Sequence, residues 1–234
     1  MRVVVIGASG RSGRRAVAHA LAAGHEVVSV VRTPASAPES TAVAQADAHD
    51  ADALAAAMAG ADAVISTLGH VAKDADPTLL HDGISAIVEA MQRTGVRRII
   101  AISAGAPYVA GDDPLARFIA KPILRLVLRA NNQDTMAMDA VLAASGLDWT
   151  SIRPGRLIPG TGRPEPRIRI DLSVRWHYST TFDTVGRTAV DALARPDWVG
   201  HAVYVTEWSP GAEVGFPGPA HALPGIGSCH DDRR

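Results

Sequence analysis

The chain has 234 residues, a formal net charge of -1, 47% hydrophobic residues and one cysteine, Cys229. That length suits one large α/β domain with a full core and is short for two. Near-neutral charge offers no electrostatic case for a nucleic-acid partner, no apolar run reaches the ~20 residues that span a bilayer, and a lone cysteine excludes an intrachain disulfide or a cysteine metal cluster.

The first predicted strand, Val3-Val4-Val5-Ile6, breaks into Gly7-Ala8-Ser9-Gly10-Arg11-Ser12-Gly13 and then becomes helical through Ala16, Val17, Ala20 and Leu21. A buried strand feeding a helix through a glycine turn builds a pocket for a nucleotide pyrophosphate. Gly7 permits the tight turn, Gly10 the approach of backbone N–H groups to phosphate, and Gly13 close helix–strand packing. The helix N-terminus adds its free N–H groups and positive dipole end. A structural strand at this place argues against a cleavable leader, and with the single cysteine it predicts a cytoplasmic protein.

The second strand, 26–31, ends at Arg32, roughly 20 residues past the glycine turn, where dinucleotide folds discriminate between cofactors. An acid there bonds the ribose 2′-OH of NAD. Arg32 instead offers a planar fork to a 2′-phosphate, so NADP(H) is expected over NAD(H), with Arg11 as a second positive charge. The plain alternative is a solvated strand-end arginine.

Further along, strands are predicted over 41–46, 61–66, 97–102, 147–152 and 202–206, and helices over 50–58, 77–93, 133–144 and 182–194. This alternation predicts a Rossmann-like doubly wound parallel sheet in a single domain, 1–208. Residues 153–171 hold four prolines and three glycines and read as a long loop across the carboxyl edge of the sheet. A small substrate lobe is expected from about 153–181. The Gly- and Pro-rich 209–234 segment reads as a poorly ordered tail.

In open α/β sheets ligands sit beyond the carboxyl ends of the strands. Three turns are therefore candidates. Asp47-Ala48 offers a carboxylate either to an adenine amino group or to a plain loop cap. Thr67-Leu68-Gly69 allows close approach to a ribose. Ser103-Ala104-Gly105-Ala106-Pro107 places Ser103 beside the expected nicotinamide, where it either orients a ligand or caps the strand end.

These stretches, with Asp62-Ala63-Val64-Ile65-Ser66, Gly95-Val96-Arg97-Arg98 and Ser145-Gly146-Leu147-Asp148-Trp149-Thr150-Ser151-Ile152-Arg153-Pro154-Gly155, resemble the atypical short-chain dehydrogenase/reductase superfamily. The resemblance covers roughly residues 1–206. It is to the NAD(P)H-binding group similar to flavin reductase/biliverdin reductase B and NmrA-like redox sensors, and it implies that Arg153, Pro154 and Gly155 lie beside the nicotinamide and substrate pocket. Ordinary members carry a Tyr-x-x-x-Lys pair in which lysine lowers the tyrosine pKa for proton donation. Here Asn131 and Thr135 have that spacing and neither can do that work. Many relatives also carry two successive hydroxyl residues where this chain has Ser103-Ala104.

Hydride transfer to an easily reduced acceptor, such as a quinone or flavin, survives that loss when the reactants are well positioned and water supplies the proton. The resemblance implies such an NADPH-dependent reductase. Tyr108, His177, Tyr178 and His70 are the titratable candidates near the pocket, each with packing as its alternative role. The rival readings are a non-enzymatic NADP(H) sensor and an isomerase or dehydratase that retains its cofactor. Arg117, Lys121, Arg125 and Arg129 form a basic stripe interrupted by Pro122, read as a solvated helix face. No metal or membrane partner is expected, and the protein is expected to be a monomer or homodimer.

Overall fold

Strand β1 (Arg2–Ile6) is buried on both faces, with Val3 and Val5 in one apolar cluster and Val4 and Ile6 in another. A strand with two dry faces belongs inside a parallel sheet covered by helices on both sides. The computed structural model, which describes residues 1–69, 77–112, 114, 117–118 and 129–207, has that architecture.

Strands β2 (Glu26–Val31), β3 (Ala42–Gln45), β4 (Ala63–Ser66), β5 (Arg98–Ile102), β6 (Asp148–Pro154), β8 (Arg167–Ile170) and β10 (His201–Thr206) join β1 in an 8-stranded sheet of order β3-β2-β1-β4-β5-β6-β10-β8. All pairs are parallel except β10 with the edge strand β8. The order reverses at β1, which lies between β2 and β4, so the turn after β1 sits at the switch point where such sheets bind ligands.

One face carries α1 (Arg11–Ala22) and α5 (Phe182–Asp191), packed on Val3, Val5, Ile65, Ile100, Ile152 and Val203. The two helices approach closely at Gly186, where a Cβ would lie 2.7 Å from the Ala16 backbone nitrogen. The other face carries α2 (Ala51–Met58), α3 (Leu79–Thr94) and α4 (Arg129–Ala144), packed on Val4, Ile6, Val64 and Ile99. Asp134 of α4 caps a different helix: its carboxylate accepts from the Leu80 and His81 amides of α3, each at 2.9 Å. Among the described residues, no helix is long and apolar enough to cross a membrane.

The Rossmann-like doubly wound sheet agrees with the sequence reading, and one segment corrects it. The stretch 153–171, read as a loop, carries strand β6 on to Pro154 and contains β7 (Arg156–Ile158) and β8. β7 pairs in parallel with β9 (Ser179–Thr181) in a separate 2-stranded sheet, and β8 pairs with β10. Prolines 159, 164 and 166 fall between these short strands, where no ladder amide is needed. Residues His70, Lys121, Pro122 and Arg125 and the expected tail over 209–234 lie outside the described residues.

Candidate functional site

The turn between β1 and α1 is shaped by its glycines. Gly7 has φ +77°, a left-handed conformation that favours glycine. A Cβ on Gly13 would collide with the Gly7 carbonyl oxygen and lie 2.9 Å from Ala8 Cα and Thr67 Oγ1. Thr67 braces the same turn from β4, its hydroxyl 2.9 Å from the Ile6 carbonyl and 3.0 Å from the Gly7 carbonyl. Ala8 is buried while Ser9 and Ser12 are half-buried. Gly10 is the N-cap of α1, no side chain caps that terminus, and no acid stands in its first turn. Its leading N–H groups and positive dipole end are thus available to an anion.

Arginines surround this terminus in different ways. Arg11 stacks on Phe182, 4.3 Å from guanidinium to ring centroid. Arg14 donates from Nε to the Ser9 carbonyl at 3.0 Å and from Nη2 to the Ser36 carbonyl at 2.8 Å. It thereby ties the glycine turn to the connection after β2, and sequence reasoning passed it over because nothing local marks that reach. Arg11, Arg14, Arg15, Pro159, Gly160 and Phe182 line a cavity of about 410 Å³. Arg32 is exposed at the end of β2, and its carbonyl accepts from Gln45 Nε2 at 3.2 Å.

On the neighbouring strands, Asp47 follows β3 and accepts from the His49 amide at 3.0 Å, while helix α2 is capped by Asp50 at 3.0 Å to Ala53 N. Asp47 lines an open cleft of about 580 Å³ with His49, Asp50, Ala51, Asp52 and Glu89. Ala48 and Leu68 cover Gly83 of α3, where a Cβ would lie 2.8 Å from Leu68 Cδ1, and Gly69 is exposed. The turns carrying Gly7 to Gly13, Arg32, Asp47, Thr67 and Ser103 therefore follow the carboxyl ends of adjacent parallel strands.

Beyond β5 and β6 the structure builds a buried network centred on Asp139 of α4. Its Oδ2 accepts from Tyr108 OH at 2.6 Å, Ser103 Oγ at 2.9 Å and Arg153 Nη2 at 2.9 Å, and its Oδ1 accepts from Ser151 Oγ at 2.9 Å. Arg153 also donates from Nη1 to Tyr204 OH at 3.0 Å and lies 3.5 Å from the Tyr108 ring centroid. Burial, and then the Asp139 charge, push the Tyr108 phenol far above its ordinary pKa. Burial opposes the Arg153 charge, but Asp139 together with Tyr204 and Tyr108 outweighs it and the guanidinium is held more basic than usual. Tyr204 is likewise raised, chiefly by burial.

Asp139 escaped the sequence reading because a single aspartate among alanines and methionines carries no local signature. Asn131 and Thr135 precede it on the same helix, and the Thr135 hydroxyl donates to the Asn131 carbonyl at 2.8 Å, so that pair is an ordinary helix contact. Pro154 accepts from the Gly105 amide at 3.1 Å, and Gly155 packs on the Tyr178 backbone. His177 is half-buried, its pKa lowered by burial and then by Arg167, and it is not among the partners of Asp139.

The parallel sheet, its switch point and the uncapped helix after a glycine turn define a Rossmann-class α/β protein. The chain belongs to the NAD(P)H-binding family, whose sequence pattern matches residues 7–196. It is 32% identical over 181 residues to the 3-diazoavenalumate denitrifying reductase of a Streptomyces species, covering 69% of this chain and 58% of that protein. It is 41% identical over 108 residues to an uncharacterized protein of Mycobacterium tuberculosis, covering 45% of this chain and 12% of that protein. The chain thus spans less than two thirds of the length of either relative. A short-chain dehydrogenase/reductase from Veillonella parvula, solved in complex with NADP, shares the fold at TM-score 0.75 and 16% identity, covering 94% of this chain and 99% of that one.

Proposed function

We propose that the protein is an NADPH-dependent reductase of a small conjugated, quinoid or flavin-like acceptor. The observation that carries this reading is the uncapped N-terminus of α1 beneath a turn in which Gly7 and Gly13 leave no room for a side chain. A dinucleotide fits that cradle. Gly7 to Gly13 would hold its pyrophosphate, Arg32 a 2′-phosphate, Asp47, Ala48, Thr67, Leu68 and Gly69 its adenosine half, and Ser103 with Arg153, Pro154 and Gly155 the nicotinamide side. Arg14 supports the same assignment, since it joins the glycine turn to the segment after Arg32. Bound NADPH supplies a hydride. The chain's own part is to bind, orient and exclude water, and the proton comes from solvent, because Tyr108 and Ser103 both donate their hydrogens to Asp139.

The family and the Streptomyces reductase support oxidoreductase chemistry. Residues 153–181 are assigned as the substrate lobe, and the protein as a cytoplasmic monomer or homodimer. NADPH oxidation with a panel of quinones and flavins is the direct test: turnover is expected, and tight NADPH binding with silence across the panel refutes the reading. That second outcome would favour a non-enzymatic NADP(H) sensor, the reading motivated by the missing Tyr–Lys pair. Replacing Arg32 by Asp should weaken NADPH by about 1.5–3 kcal/mol, the scale of a charge-assisted hydrogen bond, and NADH far less. Equal weakening of both cofactors in calorimetry would show that Arg32 does not read the 2′-phosphate.

A further inference from the structure

We infer that Asp139 is a positioning residue that fixes the Ser103 hydroxyl as a hydrogen-bond acceptor toward the ligand, so that among the conjugated acceptors of the reductase reading the site prefers one presenting an O–H or N–H donor over its methylated counterpart. This rests on the placement of Ser103 beside the substrate given above. Asp139 is buried and faces the Arg153 guanidinium at 2.9 Å. A carboxylate in such an ion pair only accepts, so each hydroxyl around it must point its one hydrogen inward. Ser103 donates to Oδ2, Ser151 to Oδ1 and Tyr108 to Oδ2. With its hydrogen engaged, Ser103 has only lone pairs left for a ligand, and it remains half-buried at the carboxyl end of β5.

The network is more than packing requires. An apolar cluster would join β5, β6 and α4 without desolvating an ion pair, and such replacements are often neutral or stabilising. What an apolar cluster lacks is polarity. An unconstrained serine can turn its hydrogen either way and takes donors and acceptors alike. A serine held by Asp139 meets a methoxy oxygen with lone pair against lone pair, and a hydroxyl with a hydrogen bond. Sites built around one hydrogen-bond polarity reject the analogue that cannot match it.

The test compares 4-hydroxycinnamamide with 4-methoxycinnamamide, titrated calorimetrically into the full-length protein with and without saturating NADP⁺. The hydroxyl compound should bind roughly three- to tenfold tighter, the scale of one hydrogen bond. S103A should bring the ratio to about one, and S103T should keep it. D139N, whose amide supplies hydrogens where the carboxylate only accepts, should also lower the ratio to about one or below. If D139N fails to fold, the wild-type ratio and the S103A and S103T pair still decide the matter, since a purely structural role for the network would leave the ratio unchanged. Equal affinities in the wild type, binding of neither amide, or a preference that survives S103A overturns the inference. Failure of NADP⁺ to bind would sink the reductase reading instead, while the hydroxyl preference is scored on the free protein.

Discussion

At Gly13 an added methyl group has nowhere to go, because the Gly7 carbonyl, Ala8 and Thr67 already occupy its place. Gly13→Ala is therefore expected to cost about 1–3 kcal/mol of stability, the usual range for overpacking a dense site. Urea unfolding measures this, and an unchanged midpoint would mean that the turn relaxes freely. Tyr108 poses a different question at the same scale. Its phenol is held protonated by burial and by Asp139, so it cannot ionise near neutral pH. The pH profile of kcat should then show no limb below about pH 10 that Tyr108→Phe removes. A neutral-range ionisation present in the wild type and lost in that variant would make Tyr108 an acid after all. The glycines were legible in the sequence because their spacing is local. The state of Tyr108 was not, because it depends on a carboxylate 31 residues away along the chain.

Among elements, Asp183 in the first turn of α5 ties Gly162 of the 153–181 region to helix α1. Its carboxylate accepts from the Gly162 amide at 2.9 Å, sits 3.0 Å from His19 Nε2 on α1, and lies 4.0 Å from Arg15. Burial raises its pKa, but the Gly162 amide and then His19 outweigh that, and the net shift is downward. A carboxyl depressed in the folded state adds stability that is complete above its unfolded pKa of about 3.9 and is lost as pH falls through the folded value. Asp183→Asn should therefore lower stability by about 1 kcal/mol at neutral pH, the scale of one hydrogen bond, and the deficit should shrink progressively as pH falls below about 3.9 in paired urea titrations. A deficit that persists in acid would assign the effect to packing. The short strands β7, β8 and β9 were hidden behind prolines and glycines. They exist because partners remote in sequence supply their ladders: β9 for β7, and β10 for β8. A three- or four-residue strand has no internal period strong enough to announce itself.

Over the whole molecule, Arg98 ties the layers together. Its Nη1 donates to the Asp148 carbonyl and its Nη2 to the Ala192 carbonyl, each at 2.7 Å, joining β5 to β6 and to the segment after α5. If the β1 turn binds NADPH, the folded state gains by linkage. At about 100 times Kd the gain is about 2.7 kcal/mol, read as a rise in Tm absent with an equal concentration of adenosine. No rise at saturating cofactor would contradict binding to the native fold.

The sequence by itself determined the parallel sheet and its switch-point turn, because buried strands, amphipathic helices and glycine spacing are written in residues that are neighbours along the chain. Only the tertiary structure decided the chemistry beyond β5 and β6. Ser103 and Tyr108 follow β5, Asp139 lies on α4, Ser151 and Arg153 on β6 and Tyr204 on β10, and these four places do not signal one another until the sheet closes. Hydrogen-bond polarity is a property of that assembled set, since a hydroxyl donates or accepts according to the partner that the fold brings to it.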